Sequence, residues 1–193
     1  MKSAKHLVTR LTRVPGPVSM KCLLLVGLLL TAFASGCRFD HDYTWQEYSI
    51  DPERVTLGDL PAGTAVDIVN GQADDESFDM GKVGAHHYHG SLSQLTDAVI
   101  EHLKLELGHR DVEVRAGAAK TLEVTVLNSE SKTGMWMLRA DMNVQAKTGD
   151  GYVLEVPISN RTPTTVPQAY NGAVALAVIR ILNDSAIAEY LSQ

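Results

Sequence analysis

Between Ser91 and Leu182 the hydrophobic period of the chain changes twice. Leu95, Val99, Leu103 and Leu107 recur every four residues, with Leu92 and Ile100 beside them. That spacing puts one apolar stripe on a helix. Ser91-Leu92-Ser93-Gln94 places a hydroxyl and a Gln three residues apart at its start, a capping box. Gly108 is expected to end the helix in the left-handed conformation. The period then drops to two. Asp111 to Arg115 reads as a short strand, and Leu122, Val124 and Val126 share one face of a strand over 121–128. After a turn at 129–134, a longer strand over 135–147 carries Trp136, Leu138, Ala140, Met142 and Val144 on one face. Arg139, Asp141, Asn143 and Gln145 occupy the other. Thr148-Gly149-Asp150-Gly151 has hairpin-turn chemistry, and Tyr152, Leu154, Val156 and Ile158 continue the alternation. Pro163 to Pro167 breaks the pattern. Pro167 suits the first turn of a second helix, whose apolar face is Ala173, Val174, Ala177, Val178, Ile181 and Leu182. Asn183-Asp184-Ser185 is placed to kink or divide it.

Upstream, Leu60-Pro61-Ala62-Gly63 is a turn signal, and Thr64 to Asn70 reads as a strand with Val66 and Ile68 inward. Gln72 to Gly90 has little apolar content and reads as an exposed loop. A loop of this length, on the order of 20 residues, is unusual in a compact domain. One apolar and one polar face along the strands imply a sheet wetted on one side, and the helices supply the cover that the apolar side needs. The expected fold is α+β: an antiparallel sheet of four to five strands with two helices on one face, in two layers.

The N-terminal region has a different pattern. Lys2, Lys5, Arg10, Arg13 and Lys21 precede an apolar run from Leu23 to Phe33, about half of the roughly 20 residues a membrane span needs. A basic region, a short apolar run and small residues make a secretory signal peptide. Ala34-Ser35-Gly36-Cys37 resembles the lipobox of bacterial lipoproteins, with Ala34 where that family usually has Leu. The resemblance implies cleavage before Cys37, covalent lipid (palmitate among its acyl chains) on that cysteine, and a membrane partner reached through it. Arg38 stands where an inner-membrane retention signal usually has Asp, which by resemblance favours the outer membrane, facing the periplasm. Met20-Lys21-Cys22-Leu23 could open a compact signal by itself, the alternative being one long basic region from Met1. The expected organisation is a signal peptide over 1–36, an acylated N-terminus and tether over 37–61, and a single α+β domain over 62–193.

Cleavage changes the charge and the thiols. The 193-residue precursor carries −6, whereas residues 37–193 hold 12 Lys and Arg against 23 Asp and Glu, or −11. So acidic a chain is a poor nucleic-acid partner, and its net charge opposes adhesion to anionic lipid. Cys22 goes with the leader, so Cys37 is the sole remaining thiol and no internal disulfide can form. Acyl chains on it give stable anchoring when more than one is present.

The order of lipobox, strand, helix, antiparallel meander and C-terminal helix is similar to that of the YajG-type small outer-membrane lipoproteins. More loosely it resembles the lipoprotein component of lipopolysaccharide assembly. Ser91 to Leu107 and Leu122 to Leu182 carry the likeness, in pattern and not in a diagnostic motif. It implies a non-enzymatic envelope role with no cofactor beyond the lipid, and an envelope protein as partner.

His86-His87-Tyr88-His89 is the sharpest chemical candidate, because imidazole binds zinc, copper or nickel. In an extended segment His87 and His89 share a side. These three define the alternative function, a periplasmic metal-binding lipoprotein, although their spacing matches no established metal motif. His102, between core positions on the helix, reads as a boundary residue. Asp74, Asp75, Glu76 and Asp79 lack the spacing of a calcium loop. No Gly-x-Ser-x-Gly and no phosphate-binding glycine loop is present. Met135 and Met137, on the polar face of their strand beside Trp136, are candidates for an adaptable protein-binding surface.

Overall fold

The computed structural model describes residues 38–58, 60–134 and 136–193; the expected signal peptide, Cys37 and Met135 lie outside them. Eight strands and three α-helices follow in order. These are β1 (Phe39–Asp42), β2 (Ala65–Asn70), β3 (Ser77–Val83), β4 (His86–Ser91), α1 (Leu92–Gly108), β5 (Glu113–Val114), β6 (Lys120–Thr133), β7 (Leu138–Thr148), β8 (Val153–Thr162), α2 (Val166–Leu182) and α3 (Ser185–Ser192). The chain is α+β. Its strands form a five-stranded sheet in the order β5-β2-β6-β7-β8 and a three-stranded sheet in the order β1-β4-β3.

The sheets are mixed, not purely antiparallel. β6, β7 and β8 form the expected antiparallel meander. β2 pairs parallel with both β5 and β6, and β1 pairs parallel with β4. Alternation reports which side of a strand is buried, and both pairings produce it. The direction follows from connectivity: β2 reaches β6 only through β3, β4, α1 and β5, a crossover long enough for parallel pairing.

The large sheet is covered as its alternation requires. Leu122, Val124 and Val126 of β6, and Leu138, Ala140, Met142, Val144 and Ala146 of β7, are buried beneath α1 and α2. On α1 the stripe Leu95, Val99, Leu103, Leu107 is fully buried, and Ser91 caps the helix with both halves of the capping box formed. Gly108 does not take the left-handed conformation. The helix closes through His109 in right-handed geometry, and Asp111 carries the positive φ, 57°. A short polar side chain tolerates that region, so the reversal falls three residues later.

α2 is buried on more faces than its predicted stripe, including Ala169, Tyr170, Ala175 and Ile179. A helix apolar around most of its circumference needs cover on two sides. The second cover is the segment expected to be a tether. The compact unit begins at Arg38. Tyr43, Ile50, Val55 and Leu57 are buried in the common core. The Tyr43 hydroxyl donates to Asn171 Oδ1 of α2 at 2.8 Å. Asn183 accepts from the Thr56 backbone N–H at 2.6 Å and donates to the Arg54 carbonyl at 2.8 Å. Residues 38–58 therefore strap the helical layer.

The expected loop over 72–90 is largely the β3–β4 hairpin. It turns at Gly84, whose φ of 59° suits glycine. Met80 is its fully buried apolar side chain. Gly90 faces Met80 and Tyr43 so closely that a Cβ there would strike the methionine sulfur.

Candidate functional site

The predicted histidines stand on β4, the central strand of the small sheet, with β1 on one side and β3 on the other. The pleat sends successive side chains to opposite faces, so His87 and His89 share a face and His86 takes the other with Tyr88. Parallel pairing with β1 sets the neighbours: Phe39 opposite His86, Asp40 opposite His87, His41 opposite Tyr88 and Asp42 opposite His89. On the first face His41 Nε2 lies 2.8 Å from His86 Nδ1. The rings of Phe39, His86, His41 and Tyr88 stack in succession, with centroids 5.0–5.3 Å apart. On the second face His89 Nε2 lies 3.1 Å from Asp40 Oδ1, which also accepts from Arg38 Nε at 2.8 Å. These two partners hold the exposed Asp40 carboxyl below the usual carboxylate range, Arg38 first and His89 second. His86, His87 and His89 are thus not convergent. Among the described residues no group of three or more His, Cys, Asp or Glu is placed to hold a metal ion. His41 and Asp40, the nearest partners of the predicted histidines, sit on a strand that sequence composition had assigned to a tether.

The second predicted site is the β6–β7 hairpin tip. β6 runs five residues past its expected end, through Ser131 to Thr133, polar positions that read as a turn. The reversal is closed by the Gly134 N–H donating to the Met137 carbonyl at 2.8 Å. Trp136, expected on the buried face, is exposed at the tip with Met137 beside it. β3 runs alongside β6. The Gly81 backbone approaches Ser131, and Asp79, Lys82, Gly84, His87, Ser131 and Thr133 line a cleft of about 610 Å³ between the two hairpins. Both hairpins therefore reach the same end of the domain, where β1 also begins.

A buried polar pair lies elsewhere. His102 on α1 is almost fully buried, with its ring 5.8 Å from that of Trp45 in the strap. Among the described residues, His102 Nδ1 and Trp45 Nε1 have no hydrogen-bond partner. Burial pushes the His102 pKa below its ordinary value, opposed by the nearby Glu106 and Glu47. The sequence reads His102, between core positions of the helix, as a boundary residue; the cover of the strap makes it a buried one. Glu106, also buried, is held by Arg110 Nη1 at 2.9 Å.

No family model matches the chain, and no curated protein does. Among solved structures, a Xanthomonas campestris protein of the family DUF330 superposes with a TM-score of 0.51 at 12% identity. The match covers 78% of this chain and 95% of that one. At that identity the likeness is one of fold. A Caulobacter crescentus chain described as a candidate lipoprotein aligns at 15% identity with a TM-score of 0.41, covering 65% of this chain and 89% of that one. Among the described residues no helix is long and apolar enough to cross a membrane.

Proposed function

We propose that this chain is an envelope lipoprotein, anchored through acylated Cys37 at the outer membrane on its periplasmic side, whose folded domain works by binding an envelope protein. One observation carries this. The sequence Ala34-Ser35-Gly36-Cys37 ends the apolar leader, and the compact unit starts at the next residue, Arg38. A signal cut at that cysteine leaves the whole folded unit intact with lipid at its first residue. The proposed role assigns no catalytic residue and no cofactor beyond the covalent lipid.

Replacing the acceptor thiol tests it. Cys37→Ser is expected to abolish incorporation of labelled palmitate and to leave an uncleaved precursor outside the outer-membrane fraction. Recovery of that variant in the outer membrane at the mature mass would refute the anchor. The binding role is tested by in-cell crosslinking of the full-length lipoprotein followed by mass spectrometry. A single envelope protein recovered in stoichiometric amount supports it, and a protein in the outer membrane without any such partner speaks against it.

The division of His86, His87 and His89 between two strand faces speaks against the alternative metal-binding role. Equilibrium dialysis with zinc or copper is expected to show no site tighter than about 10 micromolar that disappears on changing all three histidines to Ala.

A further inference from the structure

On the basis of the acylated Cys37 proposed above, we propose that the end of the domain formed by Phe39, the β3–β4 turn and the β6–β7 tip seats against the phospholipid headgroups of the membrane that holds the anchor. The seat follows first from the length of the link. One peptide bond joins Cys37 to Arg38, and the Phe39 N–H already donates to the Ala85 carbonyl at 2.9 Å. Two residues span at most about 7 Å. The headgroup layer of one leaflet is about 5–8 Å thick, half the difference between the whole bilayer and its hydrocarbon core. A lipid on Cys37 leaves no room for a water-filled gap between the acyl chains and the first strand.

Composition at this end fits that neighbour. Trp136 is 81% exposed, Phe39 50%, Met137 45% and Val83 38%. All four are at strand ends or on hairpin tips, so they protrude and do not line a groove. Tryptophan with flanking Lys and Arg is the signature of a membrane–water interface. The residues of this end, 38–40, 79–86, 130–134, 136–141 and 161–165, include Arg38, Lys82, Lys132, Arg139 and Arg161 against Asp40, Asp79, Glu130 and Asp141. The pairing register sets Lys132, Arg139 and Arg161 side by side across β6, β7 and β8. Glu130 and Asp141 lie two rows farther along the strands, on the same face, 3.3 Å from Lys132 and 2.7 Å from Arg139. The strongly acidic mature chain thus turns an end of nearly balanced charge toward the lipid, and keeps most of its negative charge away from an anionic surface.

Tryptophan fluorescence of the purified, acylated full-length lipoprotein in phosphatidylethanolamine–phosphatidylglycerol vesicles tests the seat. Trp45, in the strap and packed against His102, is the internal control, and Trp136→Phe isolates the signal of the tip. Phospholipids brominated on their acyl chains are expected to quench the Trp136 component by about half or more, with emission shifted to the blue. Lys82→Glu with Lys132→Glu is expected to weaken that quenching at low salt. Circular dichroism should be unchanged, since each replaced side chain is exposed. Acylated protein that floats with the vesicles while Trp136 stays unquenched and water-like overturns the seat and leaves the anchor standing. Trp136 found crosslinked to an envelope protein, and unquenched by lipid, likewise overturns it and makes this end a protein-docking surface. Protein that carries no acyl mass and does not float overturns both.

Discussion

His102 is the residue whose environment sets the clearest pH dependence. Its ring is buried against Trp45 with Nδ1 unpartnered, and burial lowers its pKa relative to the unfolded chain. The sign follows from linkage. Below the unfolded value, about 6.5, the unfolded chain binds a proton that the folded one resists. The contribution to stability is fully present above that pH and is lost as pH falls toward the lower folded pKa. The denaturant midpoint should therefore drop between about pH 7.5 and about pH 5, and His102→Leu should flatten that part of the profile. An unchanged slope in the variant would show that other groups carry the acid sensitivity. Tyr43 makes a second prediction at this scale. Its hydroxyl is buried on Asn171, and burial raises its pKa, with Tyr170 adding to the shift. Tyr43→Phe strands the Asn171 carbonyl oxygen and should cost about 1–3 kcal/mol in chemical denaturation. Both residues were visible in the sequence, but neither role was. A buried site made where a polar strap crosses a helix has no periodicity that would mark it.

At the scale of elements, the legible parts were those with a strong period and local chemistry at the ends. The Ser91 cap of α1 is formed as Ser91-x-x-Gln94 predicts, and Ser91→Ala should cost about 1 kcal/mol of stability. The meander β6–β8 buries most of the side chains that its alternation placed inside, from Leu122 to Ile158, whereas Trp136 and Tyr152 at the strand ends are exposed. The β3–β4 hairpin was not legible. It buries Met80 and the face of Gly90 where other strands bury Val or Leu, and most of its exposed positions are polar, Asp79, Lys82 and His86 among them. Glycine at the contact lets the backbone of β4 approach the strap. Gly90→Ala would push a methyl group into Met80 and within 3.3 Å of the Tyr43 Cβ. Overpacking of this kind is expected to lower the unfolding free energy by about 1–3 kcal/mol, measured by denaturant titration. Ser129 to Gly134 misled for a related reason: polar residues that read as a turn extend β6, where the strand leaves the cover of the helices.

For the whole molecule, residues 38–61 are the segment whose packing was only partly legible. Polar composition suggested a tether and its aromatics a part packed back on the domain; Tyr43, Ile50, Val55 and Leu57 anchor the segment over α2. Four contacts at irregular spacing are enough to fix a strap, and irregular spacing has no hydrophobic period to detect. The consequence reaches function. Under the proposed acylation of Cys37, a domain that begins at Arg38 is held directly at its lipid, and β1 brings Asp40 and His41 to the histidine strand. The α+β class and the helix-covered meander were legible because each follows from local pattern. The parallel pairings of β1 and β2 were not, because they depend on which distant segments meet.

The most direct measurement is the mass of the N-terminal peptide of the mature protein extracted from membranes. A lipid-anchored chain yields a peptide starting at Cys37 that carries diacylglyceryl and acyl mass, with none reading through Gly36-Cys37. A membrane-extracted protein whose N-terminal peptide begins elsewhere, or begins at an unmodified Cys37, contradicts the anchor on which the proposed function rests.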